Sequence, residues 1–257
     1  MKTVILAGGL GTRLREETEY RPKPMVPIGT NPILWHIMRT YAHFNYKDFV
    51  ICVGYKGESI KEYFRDFASL NLDFTIKIGK NSVLESHGSL EEEGWNVTVA
   101  NTGAETMTGG RIFKIRKYLN NETFFCTYGD GVSNVNIEEL INFHREHGKI
   151  ATMTAVKPVT RFGALEIGNN GQVNNFFEKP QSDGWVNAGF FVFEPEIFNY
   201  LKEDSILENE PLARLVIDGQ LAAFKHTGFW QPMDTFRETQ ILNELWVNKN
   251  APWKVWE

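Results

Sequence analysis

Two short stretches of this sequence hold charged side chains on unusually restrained backbone. The first is ILAGGLGTR. An apolar run over residues 3–6 ends at Ala7, then Gly8, Gly9 and Gly11, with Thr12 and Arg13 directly behind. The second is Pro22-Lys23-Pro24. Each proline fixes its own φ and biases the residue before it toward extended backbone, so Lys23 is expected on a stiff, non-helical segment. Glycine loops after strands offer backbone N–H groups to an anion, and Arg13 adds a forked cation. A lysine held still suits one phosphorus atom under attack, because an ammonium already in place needs no reorganisation. Taken singly, GGxG is most simply a tight turn and Lys23 a solvated side chain. Taken together, they point to a nucleoside-triphosphate loop.

Two better-known glycine loops fit less well. A dinucleotide fingerprint G-x-G-x-x-G lacks its third glycine here, since Gly9-x-Gly11 runs on into Thr12, Arg13 and Leu14. The second strand ends Cys52-Val53-Gly54, without the acidic residue that would bind a ribose. The Walker A string G-x-x-x-x-G-K-[ST] does not occur.

The elements that must position these residues alternate between strand and helix. Strands are expected at 3–6, 49–53, 73–78, 97–100 and 123–128. Helices are expected at 32–44, 57–67, 109–119 and 137–147. This order predicts an α/β fold, Rossmann-like with three layers, αβα, around a mostly parallel, mixed central sheet. The second half changes character, with short strands at 151–156, 164–167, 173–178, 186–193 and 221–225. Helices are expected there at 196–201, 210–218 and 235–248. Without a Pro/Gly/Ser-rich linker, the chain reads as a single domain sharing one sheet. Residues 1–130 form its nucleotide part, 131–234 a smaller sugar-binding lobe, and 235–257 a C-terminal helix and tail. The tail, APWKVWE, carries two tryptophans suited to docking on the body or on another subunit.

Composition narrows the function. With 257 residues, 42% of them apolar and 23% charged, the chain is an ordinary globular protein. Its net charge of −5 argues against broad nucleic-acid binding. The apolar runs are of strand length, too short to span a bilayer, and the N-terminus is unlike a signal peptide, so a cytoplasmic location is expected. Cys52 and Cys126 lie in apolar, strand-like runs and read as buried free thiols. His144 and His147 read as surface residues, His36 as packed, and Glu91–Glu93 as a solvated acidic run.

The residues also carry a resemblance. ILAGGLGTRL followed by PKPM resembles the signature of the sugar-phosphate nucleotidyltransferases, which join a nucleoside triphosphate to a sugar 1-phosphate and release pyrophosphate. The likeness continues in order through TYGDG (127–131), FEKP (177–180), NAGFFVF (187–193) and FWQPMDT (229–235). Within that family, RLREET (13–18), NTGAETMTGGRI (101–112) and the closing APWKVWE resemble the cytidylyl branch. The resemblance implies CTP and glucose 1-phosphate as substrates, Mg²⁺ as cofactor, and a homo-oligomer.

It also implies roles. Arg13 would meet the β- and γ-phosphates and Lys23 the α-phosphate, with Asp130 and Asp234 holding Mg²⁺. Leu6, Ala7, Gly8, Gly9, Gly11, Thr12 and Gly129 would border the nucleotide, and Thr106 and Arg111 the cytosine and the ribose or phosphate. Lys179 would meet the sugar phosphate, Glu178 and Asn187 the sugar hydroxyls. Trp230 either lines the sugar pocket or packs. Other readings stay open: a uridylyl, thymidylyl or guanylyl transferase, another sugar phosphate, or a binding module that has lost catalysis. A glycosyltransferase fits less well, because Gly129-Asp130-Gly131 has one carboxylate where a DxD motif needs two.

Overall fold

The computed structural model describes residues 1–257 except Lys80, Asn81, Glu93, 160–163, Gly168, Asn170 and 178–183; Arg15 and Ala164 are described by backbone alone. Its centre is a seven-stranded sheet. The strands run in the order Leu221–Lys225, Ala151–Val156, Val186–Phe193, Phe124–Tyr128, Thr3–Ala7, Asp48–Val53 and Asn96–Asn101. Val186–Phe193 is antiparallel to both neighbours, and the other strands of the sheet all run the opposite way. The central strands read as near-continuous apolar runs because both faces are covered.

Alternate side chains go to opposite layers. Ile5, Ala7, Phe49, Ile51 and Phe125 pack with the helices Ile33–His43, Ile137–His147 and Phe236–Val247. Val4, Leu6, Val50, Cys52, Phe124 and Cys126 pack with Ile112 of helix Thr108–Lys114 and Leu215 of helix Glu210–Ile217. The expected three-layer α/β fold with a mostly parallel, mixed sheet is therefore what the chain forms. Both cysteines are buried free thiols, and burial pushes the Cys52 thiol up to about 12.

Several local expectations change. Asp73–Lys77 does not join the sheet; it pairs with Val83–His87 in an exposed antiparallel hairpin. The helix expected at 196–201 is a 3-10 turn, Pro195–Asn199. Glu91 and Glu92 are not merely solvated: Glu91 pairs with Arg39 at 3.3 Å, and Glu92 accepts from Trp35 Nε1 at 2.7 Å. His144 is buried rather than on the surface, because the strand that follows its helix and the residue just after Val186–Phe193 supply its partners. Its ring nitrogens meet Thr152 Oγ1 at 2.8 Å and Glu194 Oε1 at 3.1 Å.

The aromatic tail folds onto its own body. Trp253 and Trp256 are buried against Trp35 and His36. Trp253 Nε1 can only donate, so His36 Nδ1 accepts, at 3.4 Å, and Nε2–H donates to Ile28 O at 3.0 Å. This tautomer is neutral, and burial lowers the His36 pKa from the ordinary 6.5 to about 4. The unfolded chain therefore takes up a proton as pH falls below 6.5 and the folded chain does not. Stability supplied by this site is full above 6.5 and declines by about 1.4 kcal/mol per pH unit down to about 4. The His36 ring protons, followed by NMR, should not titrate above pH 5 or so; a midpoint near the ordinary value would contradict the buried neutral assignment.

Candidate active site

The site lies where strands Thr3–Ala7 and Phe124–Tyr128 end, at the carboxyl edge of the sheet, as ligand sites in open α/β sheets do. The first strand runs into the glycine loop. There Gly11 takes φ +63°, and its carbonyl accepts from Leu14 N at 3.0 Å and Thr18 Oγ1 at 3.0 Å. Gly129 N–H donates to Leu6 O at 3.1 Å, which locks the TYGDG turn to the base of the loop.

Arg111 holds the loop from outside. It is 4% exposed, and its guanidinium donates to Gly8 O at 2.8 Å, Gly103 O at 2.8 Å, Val53 O at 3.3 Å and Thr102 Oγ1 at 2.6 Å. A side chain on Gly8 would overlap that guanidinium, with a Cβ only 2.1 Å from Nη1. Arg111 thus fastens the turns after three strands together. Its donors go mostly to backbone oxygens, a role the sequence did not disclose.

Lys23 opens the 3-10 turn Lys23–Met25, so the expected non-helical segment is a single tight turn. The residue is 8% exposed. Nζ donates to Asp130 Oδ2 at 2.7 Å and to Asp234 Oδ1 at 2.5 Å, and Asp234 Oδ2 accepts from Arg13 Nη1 at 2.8 Å. Burial works against the Lys23 charge, but the two carboxylates outweigh it and hold the pKa above its ordinary value.

Asp130 and Asp234 meet through a strand pair the sequence reading missed. Gly131–Ser133 runs antiparallel to Trp230–Pro232 with Gly131 opposite Pro232, and Met233 N donates to Asp130 O at 2.8 Å. The two aspartates therefore flank one end of a short ribbon. Asp234 does not cap the helix that follows. Thr235 does so, in a reciprocal capping box with Glu238, and the Asp234 carboxylate is left to face Lys23.

Two cavities meet at this cluster. The first, about 310 Å³, is lined by Leu6, Ala7, Gly8, Gly9, Gly11, Thr12, Arg13, Lys23, Thr106, Arg111, Gly129 and Asp130, together with Pro24, Met107, Thr108 and Tyr128. Every residue expected at the nucleotide thus lies on one wall or another of it. The second, about 200 Å³, is lined by Asn187, Trp230, Asp234, Thr127, Phe190 and others, and shares Arg13, Tyr128 and Asp130 with the first. Trp230 both lines this cavity and packs, donating Nε1–H to Ala188 O at 2.9 Å. Glu178 and Lys179 lie outside the described residues. A larger cavity, about 660 Å³, lies near Lys114 and Phe198 and shares no residue with these two.

The chain belongs to the nucleotidyl transferase family, whose sequence profile matches residues 2–231. Within that family it is 51% identical over 260 residues to the glucose-1-phosphate cytidylyltransferase of Salmonella typhimurium, covering 100% of both chains. It is 43% identical over 258 residues, again 100% of both, to a Bacillus subtilis protein named "Probable glucose-1-phosphate cytidylyltransferase". Among solved structures, a Bacillus anthracis chain described as a "Putative Glucose-1-Phosphate Thymidylyltransferase" shares the fold. Its TM-score is 0.67 and its identity 19%, covering 95% of this chain and 94% of that one.

Proposed function

We propose that this chain transfers the cytidylyl group of CTP to α-D-glucose 1-phosphate, giving CDP-glucose and pyrophosphate. The observation that carries the reading is Lys23, bracketed by Asp130 and Asp234 where the two cavities meet. The full-length likeness to the Salmonella enzyme supports the choice of substrates.

The chemistry is attack by a sugar-phosphate oxygen on the α-phosphorus of CTP. Both reactants are anions, so the barrier is largely repulsion and misalignment, and no general base is needed because the nucleophile is already ionised. Backbone around Leu6, Ala7, Gly8 and Gly9, with Gly11, Thr12 and Gly129, borders the nucleotide. Arg13 takes the β- and γ-phosphates, which leave as pyrophosphate, and Lys23 takes the α-phosphate. Thr106 and Arg111 border the cytosine and the ribose or phosphate. Lys179 takes the phosphate of the sugar substrate, and Glu178 and Asn187 take its hydroxyls.

Charge balance bears on the metal. Asp130 and Asp234 pair with Lys23 and Arg13 in the structure. When those two cations turn to the phosphates, the carboxylates lose their partners. Two carboxylates beside phosphate oxygens are the donor set Mg²⁺ favours, and among the described residues no group of three or more His, Cys, Asp or Glu offers a protein-only cage. Asp130 and Asp234 would hold the ion, which when bound supplies charge neutralisation at the reacting phosphates.

A homo-oligomeric, cytoplasmic enzyme accords with this reading. One face of the hairpin exposes Phe74, Ile76 and Leu84 as an apolar surface for a second copy, and among the described residues no helix is long and apolar enough to cross a membrane. The test is product analysis with CTP, glucose 1-phosphate and Mg²⁺. CDP-glucose should form in step with pyrophosphate, and release of pyrophosphate independent of the sugar phosphate would contradict the proposal.

A further inference from the structure

We propose that Glu208 is a positioning residue for this transfer: by holding Thr108 and Tyr128 at once, it fixes the wall between the two cavities and ties the shape of the sugar-phosphate side to the nucleotide side. The inference rests on the proposed function and adds a residue outside every motif above.

Glu208 stands on the loop before helix Glu210–Ile217. Its Oε2 accepts from Thr108 Oγ1 at 2.6 Å, and its Oε1 accepts from the Tyr128 hydroxyl. Thr108 Oγ1 in turn accepts from Leu207 N at 2.9 Å, and Gly110 N donates to Ser205 O at 2.9 Å. The loop therefore lies flat on the start of helix Thr108–Lys114. Only glycine permits this, because a Cβ at Gly110 would sit 2.1 Å from Glu203 O. The glycine pair of TMTGGR is thus accounted for by the docking of this loop.

From Tyr128 the chain of hydrogen bonds continues. Its hydroxyl accepts from Asn187 Nδ2 at 3.2 Å, and Asn187 Oδ1 accepts from Gly189 N at 2.8 Å. Thr108 lines the nucleotide cavity, Asn187 the second cavity, and Tyr128 both. A tyrosine hydroxyl has one proton, and the Glu208 carboxylate takes it. That leaves the hydroxyl oxygen as acceptor and fixes which way the Asn187 amide points. Glu208 itself is solvent-exposed, so its loss opens no core cavity. The Glu208→Gln amide keeps the shape but accepts at one oxygen only, and cannot receive both hydroxyl protons.

The experiment measures KM and kcat for the wild type, Glu208→Gln, Tyr128→Phe and the double variant. It uses whichever nucleotide and sugar 1-phosphate pair the wild type turns over fastest, so an error in the cytidylyl assignment leaves it intact. Each single variant should raise KM for the sugar 1-phosphate about 10-fold with nucleotide KM little changed, and the double variant should be no worse than either. An unchanged sugar KM in Glu208→Gln, or fully additive effects, would overturn the proposal. Should Glu208→Gln fail to fold, Thr108→Val must give the same KM split; failure of both to fold would make the residue structural and likewise overturn it. If the wild type turns over no pair, the proposed function falls, and the about 10-fold loss is sought instead in calorimetric affinity for glucose 1-phosphate.

Discussion

Replacing Lys23 by Ala should lower kcat about 100- to 1,000-fold while the chain still folds. That range is typical for removing one preorganised donor aimed at developing charge. Lys23→Arg should not restore the rate, because a planar fork on the same short turn cannot place a point charge where Nζ sits. A second consequence separates this role from mere charge. Lys23 Nζ lies between Asp130 and Asp234, so its removal leaves two carboxylates facing each other. Lys23→Ala should therefore melt at lower temperature than the wild type, and Mg²⁺ should restore its melting point more than it raises that of the wild type. Retained turnover would mean that the α-phosphate lies elsewhere.

The second large effect is expected at the carboxylates. Asp234→Asn should lower kcat about 1,000-fold, corresponding to the several kcal/mol of charge stabilisation a bound metal supplies. The fold should survive, because the Asp234 contribution to the helix start is its backbone N–H, which donates to Glu238 Oε2 at 2.8 Å and is kept in the variant. Asp130→Asn should behave similarly, with activity returning in part at higher Mg²⁺ concentration. Chelation should abolish turnover by the wild type, and Mg²⁺ should restore it. Full activity of both variants at the same Mg²⁺ concentration would remove these residues from the metal site.

How much of this was legible in the sequence depended on distance along the chain. The glycine loop was legible because strand, glycines and Arg13 are contiguous, and Lys23 because two prolines flag it. The ribbon that joins Asp130 to Asp234 was not. Its strands are three residues each, too short to show a period, and about a hundred residues apart. Motif order implied that the aspartates act together, but not that Met233 and Asp130 are hydrogen-bonded. The resemblance pointed to Arg111 as a nucleotide contact, yet its partners are mostly carbonyl oxygens, which no side-chain pattern encodes. His144 looked exposed because Thr152 lies on the next strand and Glu194 at the start of the Pro195–Asn199 turn, neither on its own helix. Glu208 gave no local signal either: its partners Thr108 and Tyr128 lie on another helix and strand.

The central claim is that the chain selects CTP and glucose 1-phosphate for nucleotidyl transfer. The most direct measurement offers CTP, UTP, dTTP, GTP and ATP together at equal concentration, with glucose 1-phosphate and Mg²⁺, and resolves the sugar nucleotides formed. Such a competition reads the ratio of kcat/KM values directly. CDP-glucose should dominate the products. A mixture led by UDP-glucose or dTDP-glucose would contradict the assignment.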